Sequence, residues 1–210
     1  MQIALQEIGK RFRYEWVFSG INLDISAAQS TAILGHNGSG KSTLLQIIAG
    51  HLTPNKGKIS YIIDNQVITE EEKYKYLTYT APYMDLIEEF TLLEAIDFHR
   101  QFKPIINGVS NADLLDILQL PKNNAQKEVR FFSSGMKQRL KLLVGICSDV
   151  PLVLLDEPTT NLDAQGIDWY RDLVTEFKRD RLFIVASNTP HDYDFCIQKI
   201  LMSDFKLKNK

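Results

Sequence analysis

The segment from Gly35 to Ser42 reads GHNGSGKS and fits the pattern G-x-x-x-x-G-K-[ST] in full. A short apolar run, Thr31–Leu34, precedes it, and Thr43–Ala49, which has the apolar spacing of a helix, follows it. Glycines in such a place let backbone N–H groups turn inward around an anion, and the N-terminus of the following helix adds a partial positive charge. The segment therefore predicts a strand, a phosphate-binding loop and a helix, in that order.

The polar residues of this segment match the phosphate end of a nucleotide. Lys41 would place an ammonium on the β- and γ-phosphates, and Ser42 would offer its hydroxyl to Mg²⁺. A glycine-rich turn with a chance Lys-Ser pair is the alternative, which the strand and helix on either side make the weaker one. The predicted nucleotide contacts are Gly35, His36, Asn37, Gly38, Ser39, Gly40, Lys41, Ser42 and Thr43.

A second segment, Leu152–Glu157, reads LVLLDE and predicts a buried strand that ends in two adjacent carboxylates. Asp156 would hold Mg²⁺ through water, and Glu157 would polarise the attacking water. An acidic turn after a strand is common by itself, but its pairing with a phosphate loop predicts a nucleotide hydrolase. A GTPase would carry N-K-x-D to read guanine, and the nearest string, Asn55–Lys58, lacks the Asp. The small P-loop kinases stay open on these two motifs alone.

Composition limits the classes of protein that fit. The chain has 210 residues, 44% of them hydrophobic, and a formal net charge of −2. It can therefore bury a sizeable core, and it lacks the basic excess of a nucleic-acid-binding protein, so no nucleic-acid partner is expected. Its two cysteines, Cys147 and Cys196, are expected to be reduced core residues, and no apolar run is long enough to cross a bilayer.

The order of the predicted elements indicates one domain. Strands are predicted at both ends of the chain, the first over Gln2–Ile8, where apolar and polar residues alternate. Residues from about 83 to 150 have helical patterns, including a capping box at Thr91–Glu94. The sequence thus predicts a single α/β domain over residues 1–210, with a helical insertion at about 83–150.

The segment Ser133–Arg139 (SSGMKQR) lies between the two nucleotide motifs. It resembles the signature of the ATP-binding cassette (ABC) ATPases, which reads L-S-G-G-Q ahead of [RQK]-Q-R. Glu157–Asp163 (EPTTNLD) is similar to the E-P-T-x-x-L-D segment of that family. The resemblance covers essentially the whole chain. It implies an α/β fold: a P-loop NTPase core of the ABC ATPase type, with a β-subdomain at the N-terminus and a helical subdomain insertion.

The resemblance also implies how ATP and Mg²⁺ are bound. In this family two cassettes, either identical or homologous, pair head to tail, and each signature closes over the ATP held by the other cassette. Ser133 and the N–H groups around Gly135 would then donate to the γ-phosphate, and Asp163 would lie at the same seam. An aromatic residue of the first strands stacks on adenine, and the matching residue is Phe12, with Tyr14 as its rival.

Several positions depart from the family pattern. Ser134 replaces the first glycine of the signature pair, and Met136 replaces its last polar residue. The family glutamine that links Mg²⁺ to the helical subdomain should fall near Pro82, where the sequence is TAPYMD.

The histidine that contacts the γ-phosphate in this family is replaced by Asn188. Asn188 would be catalytic with Lys41 and Glu157, but it cannot carry a positive charge. His191 follows three residues later and is expected to be a surface loop residue. Because the metal ligands and Glu157 are retained, we expect slow but real ATP hydrolysis.

The resemblance therefore implies an ATP-binding and ATP-hydrolysing subunit of an ABC transporter, of a small exporter-like kind. It would dimerise on ATP, dock by its helical subdomain on a separate integral membrane subunit and lie on the cytoplasmic face of the membrane. Two alternatives stay open. One is a soluble ABC ATPase with a non-membrane partner, and the other is an ATP-gated dimerisation switch with very slow turnover.

Overall fold

The computed structural model of the chain describes residues 1–27 and 29–206. The strands of these residues are β1 (Gln2–Phe12), β2 (Glu15–Ser26), β3 (Thr31–Leu34), β4 (Lys56–Ile63), β5 (Gln66–Ile68), β6 (Leu77–Thr80), β7 (Leu152–Asp156), β8 (Leu182–Ala186) and β9 (Gln198–Leu201). The α-helices are α1 (Lys41–Ala49), α2 (Leu92–Phe102), α3 (Asn111–Leu118), α4 (Ser134–Cys147), α5 (Ala164–Phe177) and α6 (Pro190–Tyr193). Short 3₁₀ helices cover Lys73–Tyr76, Lys122–Gln126, Val129–Phe131 and Met202–Phe205.

The chain divides into two compact units. The first comprises Met1–Tyr79, Pro151–Glu157 and Asp180–Lys210, and the second comprises Thr80–Val150 and Pro158–Arg179. The first unit carries the phosphate loop and the acidic strand, and the second carries helices α2 to α5. The assignment of the whole chain to one domain, with the insertion at about 83–150, stays a prediction.

One sheet of the first unit is antiparallel, with strand order β2-β1-β4-β5. Ile3 lies opposite Ile25 and Leu5 lies opposite Leu23, so alternate residues of β1 and β2 present apolar side chains to one face. Apolar and polar residues stop alternating in the second half of β1. The pairing register of β1 with β2 shifts there, between Leu5 and Ile8 and again between Ile8 and Lys10. Such bulges break the two-residue period, so β1 extends beyond the strand that the pattern predicts.

The other sheet has strand order β6-β7-β8-β3-β9, and β8 pairs in parallel with β7 and β3, as β3 does with β9. Every residue of β7 and β8 is buried, which explains why both sequences are continuous apolar runs. Helix α1 packs against β7 and β8. Because ligands of such sheets bind at the carboxyl ends of the strands, the loops after β3, β7 and β8 are the ones that matter for function.

The helical unit is built around α4, which packs against α3 and α5. Thr91 and Ser110 each form a capping box, at the start of α2 and α3 respectively, as the sequence predicts for Thr91. The Trp169 indole of α5 donates a hydrogen bond to the carbonyl of Ile117 at 2.6 Å, which ties α5 to α3. Cys147 and Cys196 are both buried and unbridged, as expected. No described helix combines the length and the apolar character that a membrane crossing requires.

His99 is a partly buried histidine of α2 whose charge is disfavoured. Its Nε2 lies 2.7 Å from Oγ of Ser148, and that hydroxyl donates to the carbonyl of Val144 at 2.6 Å. The imidazole Nε2–H therefore donates to Ser148. Burial, helped by the nearby charge of Lys103, lowers the pKa of His99 from 6.5 to about 4.

We expect the free energy of unfolding to fall as the pH drops from 6.5 towards 4. In that window the unfolded chain binds a proton that His99 of the folded chain does not, which costs at most about 1.4 kcal/mol per pH unit. Urea unfolding of the chain and of His99→Gln, which keeps a donor for Ser148 but does not titrate, measures the difference. Equal pH dependence of the two proteins would contradict this expectation.

Candidate functional site

The phosphate loop joins the end of β3 to the start of α1. Gly40 is the residue before the helix, with a φ of 101°, and no side chain caps the first turn of α1. That turn, which lies wholly within the described residues, also contains no acidic residue. The first N–H groups of α1 thus point out of the helix without a side-chain acceptor, which is the arrangement that binds an anion.

The glycine at position 40 is required by both conformation and space. A Cβ there would lie 2.6 Å from Cγ1 of Val17 and 2.9 Å from Cδ1 of Phe18. A φ of this sign also strains any residue that carries a side chain. The loop therefore lies against the buried side of β2, and only glycine permits that approach.

Lys41 is buried at the first position of α1. Its ammonium donates to the carbonyl of Gly35 at 2.8 Å and lies 3.5 Å from Oε1 of Glu157. The hydroxyl oxygen of Ser39 is also buried, without a hydrogen-bond partner among the described residues. Buried polar atoms are normally hydrogen-bonded, so a phosphate oxygen within the loop would supply the partner that the Ser39 hydroxyl lacks.

Asp156 is the buried last residue of β7. One of its carboxylate oxygens accepts a hydrogen bond from the hydroxyl of Ser42 at 3.0 Å, and the other accepts from the hydroxyl of Tyr79 at 3.3 Å. A serine hydroxyl beside a carboxylate offers the hard oxygen donors that Mg²⁺ prefers. The two residues predicted for the metal thus lie together, and Tyr79 is a neighbour that no local pattern indicates.

Glu157 adopts a φ of 42°, which is uncommon for a residue with a side chain. Its N–H donates to the carbonyl of Ala186 at 2.8 Å, which holds the backbone at the end of β8. Its Oε2 lies 3.0 Å from the hydroxyl of Ser187, and the same hydroxyl lies 2.6 Å from Oδ2 of Asp192. One hydroxyl hydrogen is therefore shared between two carboxylates.

Ser187 and Asp192 are two residues near Glu157 that no sequence motif indicates. The one available signal for Ser187 is its position directly after the apolar strand LFIVA, next to the strand that ends in Asp156. Polar residues that follow neighbouring parallel strands meet at one edge of the sheet. Asp192 lies in α6 and has no comparable signal.

Asn188 contacts the phosphate loop directly. Its Oδ1 accepts from the N–H of Gly35 at 3.3 Å, and its Nδ2 donates to Oδ1 of Asn37 at 3.2 Å. His191, expected in a surface loop, lies instead in the short helix α6, where its Nε2 is 3.9 Å from Oδ1 of Asp192.

His36 extends from the outer side of the phosphate loop. Its Nδ1 donates to the carbonyl of Asn37 at 2.7 Å, because its Nε2 is the acceptor for the ammonium of Lys206 at 2.9 Å. The loop backbone is therefore braced by a side chain near the end of the described chain.

Phe12 is the last residue of β1, and Tyr14 lies in the turn between β1 and β2. Phe12 is 51% exposed and Tyr14 is 93% exposed, so either ring has an open face for stacking. The ammonium of Lys10 lies 5.2 Å from the centre of the Phe12 ring. The preference for Phe12 over Tyr14 stays a prediction.

The signature residues belong to the second unit. Ser133 caps α4, since its Oγ accepts from the N–H of Met136 at 3.2 Å. Ser133 and Ser134 are exposed, and a Cβ on Gly135 would lie 3.0 Å from the carbonyl oxygen of Asn161. Asp163 is likewise exposed and caps α5 by accepting from the N–H of Gly166 at 2.8 Å. Both helix starts are therefore capped and open to solvent within their unit.

The comparison with known protein families gives one clear match. The family model described as ABC transporter matches residues 18–160, which include the phosphate loop, the signature segment and the acidic strand. The chain therefore belongs to the ABC transporter family, and it is an ATP-binding, ATP-hydrolysing domain of that family.

The relatives differ in how much of their length the chain spans. It is 28% identical over 190 residues to the lantibiotic transport ATP-binding protein SrtF of Streptococcus pyogenes, covering 89% of the chain and 79% of that protein. It is 29% identical over 185 residues to ABC transporter A family member 8 of Dictyostelium discoideum, covering 87% of the chain but 22% of that protein.

Solved structures agree with the fold. A putative ABC transporter ATP-binding protein from Pyrococcus furiosus superimposes with a TM-score of 0.82 at 17% identity, over 99% of this chain and all of that one. The dimeric bacterial ABC transporter cassette MJ0796 gives a TM-score of 0.79 at 23% identity, covering 95% of this chain and 93% of that one. The fold predicted from the sequence, a P-loop NTPase core of the ABC ATPase type, is confirmed.

Substitution of Gly40 by Ala is expected to abolish tight ATP binding. The added Cβ overlaps Val17 and Phe18 and forces the loop away from the conformation that presents its N–H groups, at a cost on the order of 1–3 kcal/mol. Titration with a fluorescent ATP analogue measures the dissociation constant, and Gly108→Ala, at a glycine with open space around it, is the control. Unchanged affinity of Gly40→Ala would contradict the assignment of the loop.

Proposed function

We propose that this chain is the ATP-hydrolysing subunit of a small exporter-like ABC transporter, which binds Mg-ATP, pairs head to tail with another cassette and drives a separate integral membrane subunit. The observation that supports it best is the grouping of four side chains in the first unit: Lys41 lies beside Glu157, and Ser42 lies beside Asp156. Charge neutralisation, metal binding and activation of water are the functions that phosphoryl transfer to water requires.

Binding would start at the open end of α1. The triphosphate would take the place of solvent at the N–H groups of residues 35–43, and the ammonium of Lys41 would move from the carbonyl of Gly35 to the β- and γ-phosphate oxygens. Mg²⁺, held by Ser42 and through water by Asp156, would neutralise charge on the phosphates. Phe12 would stack on adenine.

Hydrolysis would depend on Glu157. Its carboxylate would accept a proton from the attacking water, and the hydroxyl of Ser187 would hold it in place. Asn188, already hydrogen-bonded to Gly35 and Asn37, would donate to a γ-phosphate oxygen without adding positive charge. This substitution for a histidine supports slow turnover.

The second half of each site would come from the paired cassette. The γ-phosphate held by the other chain would be met by Ser133, the N–H groups around Gly135, and Asp163. The start of α4 suits this role because it combines exposed hydroxyls with the positive end of a helix.

A specific observation favours one alternative: the loss of the charged group at Asn188 fits an ATP-gated dimerisation switch with very slow turnover. A non-membrane partner is the other alternative.

A mixing experiment tests hydrolysis and head-to-tail pairing together. Glu157→Gln alone should lower turnover of Mg-ATP by about a hundredfold or more, because a general base is lost. Ser133→Arg alone should abolish turnover while ATP binding persists, because the arginine blocks closure over the partner's ATP. An equimolar mixture of the two should recover turnover, since a mixed dimer has one site with both an intact Glu157 and an intact Ser133.

The control for mixing is Lys41→Ala with Glu157→Gln. Both changes affect the same half of a site, so no mixed dimer contains an intact site and the mixture should stay inactive. Phosphate release measures every combination. An inactive mixture of Glu157→Gln with Ser133→Arg would contradict head-to-tail pairing. If the unmodified chain with its partner does not hydrolyse ATP, the proposed ATPase activity is contradicted.

An apolar groove in the second unit supports docking on a membrane subunit. Phe90, Phe98 and Phe102 form edge-to-face pairs with ring centres 5.3 Å and 5.0 Å apart. They line a cavity of about 200 Å³ with Ile87 and Leu140, and Phe102 is 65% exposed. An exposed aromatic surface of this kind is typical of a protein interface. We propose that it receives a short apolar helix of the membrane subunit, at the cytoplasmic face.

Phe98→Asp should therefore reduce recovery of the membrane subunit without changing ATP turnover of the isolated chain. A charge placed in the groove would have to be desolvated on docking. Capture of the tagged chain from detergent-solubilised membranes of its own cell measures this, with Val67→Asp, at an exposed residue of the first unit, as the control. Recovery of the chain from the cytosol alone would contradict the transporter function.

A further inference from the structure

The loop that follows β6 is held by one side chain of α4. Residues Ala81–Met84 form a turn in which the N–H of Met84 donates to the carbonyl of Ala81 at 3.2 Å. The ammonium of Lys141 donates to the carbonyls of Pro82 at 2.7 Å, Met84 at 3.2 Å and Ala81 at 3.3 Å. An ammonium has three donors, so this one loop uses its full capacity.

Lys141 reaches the loop from the same helix that carries the signature. It lies on α4, whose cap is Ser133 and whose first residues are Ser134 and Gly135. The lysine is partly buried, and burial lowers its pKa; the charge of Asp85 opposes this effect and that of Lys137 adds to it. Three acceptors in a partly desolvated place make a rigid tie between α4 and the loop.

The loop held by Lys141 connects Tyr79, beside the metal residue Asp156, with the apolar groove of the second unit. The loop continues directly from β6, where Tyr79 donates to Asp156, the residue assigned to the metal. In the other direction it continues into Asp85 and Leu86, which line the apolar groove. The loop contains no glutamine, since Pro82 stands where the family glutamine is expected. Side-chain-to-backbone hydrogen bonds from Lys141 hold the backbone of this stretch.

We propose that Lys141 is a positioning residue for ATP turnover, which fixes the loop Ala81–Met84 on the signature helix in place of the absent glutamine. It does not touch the nucleotide. It acts through the loop, whose two ends lead to Tyr79 and to the groove for the membrane subunit. The effect on turnover rests on the proposed function. The clamp, meaning the three hydrogen bonds from Lys141 to the loop Ala81–Met84, is a property of the folded chain.

Hydrogen exchange tests the clamp without ATP. In Lys141→Met, the amides of residues 83–86 should exchange about tenfold faster or more, which corresponds to the loss of hydrogen bonds from a charged donor. The amides of α4 should be unchanged. Lys141→Arg, which retains a charged donor, should keep most of the protection, and Lys58→Met, at an exposed lysine of β4, is the control.

Steady-state kinetics test the effect on turnover. Lys141→Met should lower kcat about tenfold and leave KM within about twofold, because the loop orders the catalytic arrangement rather than binding ATP. Lys141→Arg should restore kcat. If Lys141→Met does not fold, Lys141→Gln, which keeps two donors without the charge, takes its place in both experiments.

The outcomes separate this inference from the proposed function. Loop exchange or kcat equal to that of Lys58→Met would overturn the role of Lys141. A fall in kcat that arginine does not restore, with loop protection unchanged, would do the same. Absence of turnover in the unmodified chain would instead contradict the proposed function, and the exchange experiment would still decide whether Lys141 holds the loop.

Discussion

The open N-terminus of α1 is the constraint on which the rest of the site depends. A helix begins with N–H groups that have no partner inside the helix, and most helices cover them with a side-chain cap. Here Gly40 provides no cap and brings the loop within van der Waals distance of Val17 and Phe18. The helices α2, α3, α4 and α5 all have side-chain caps, so α1 differs from them at the place where an anion would bind.

The charged groups around this helix start are arranged so that each has a partner before ATP arrives. Lys41 is balanced by Gly35 and Glu157, and Asp156 is held by Ser42 and Tyr79. Buried charges without such partners would cost several kcal/mol. The groups are therefore held close to their functional positions, and ATP would exchange partners rather than order a loose site.

Local patterns were sufficient for much of the fold. Strand β3, α1 and the capping box at Thr91 follow from apolar spacing and from turn chemistry, because these signals are read over a few neighbouring residues. The extension of β1 beyond Ile8 was missed, since bulges shift the register and mask the alternation. The prediction that His191 lies in a loop was wrong, because α6 is a single short turn of helix and has no apolar period to detect.

The sequence by itself determined the family, the phosphate loop and the two acidic residues, because these features are contiguous and their chemistry requires particular residues at particular spacings. Only the tertiary structure decided which side chains surround them. Ser187 on Glu157, Tyr79 on Asp156, and Lys141 on the loop after β6 are far apart in the chain from the groups they contact. Such contacts are created when sheet and helices pack, so no local pattern encodes them.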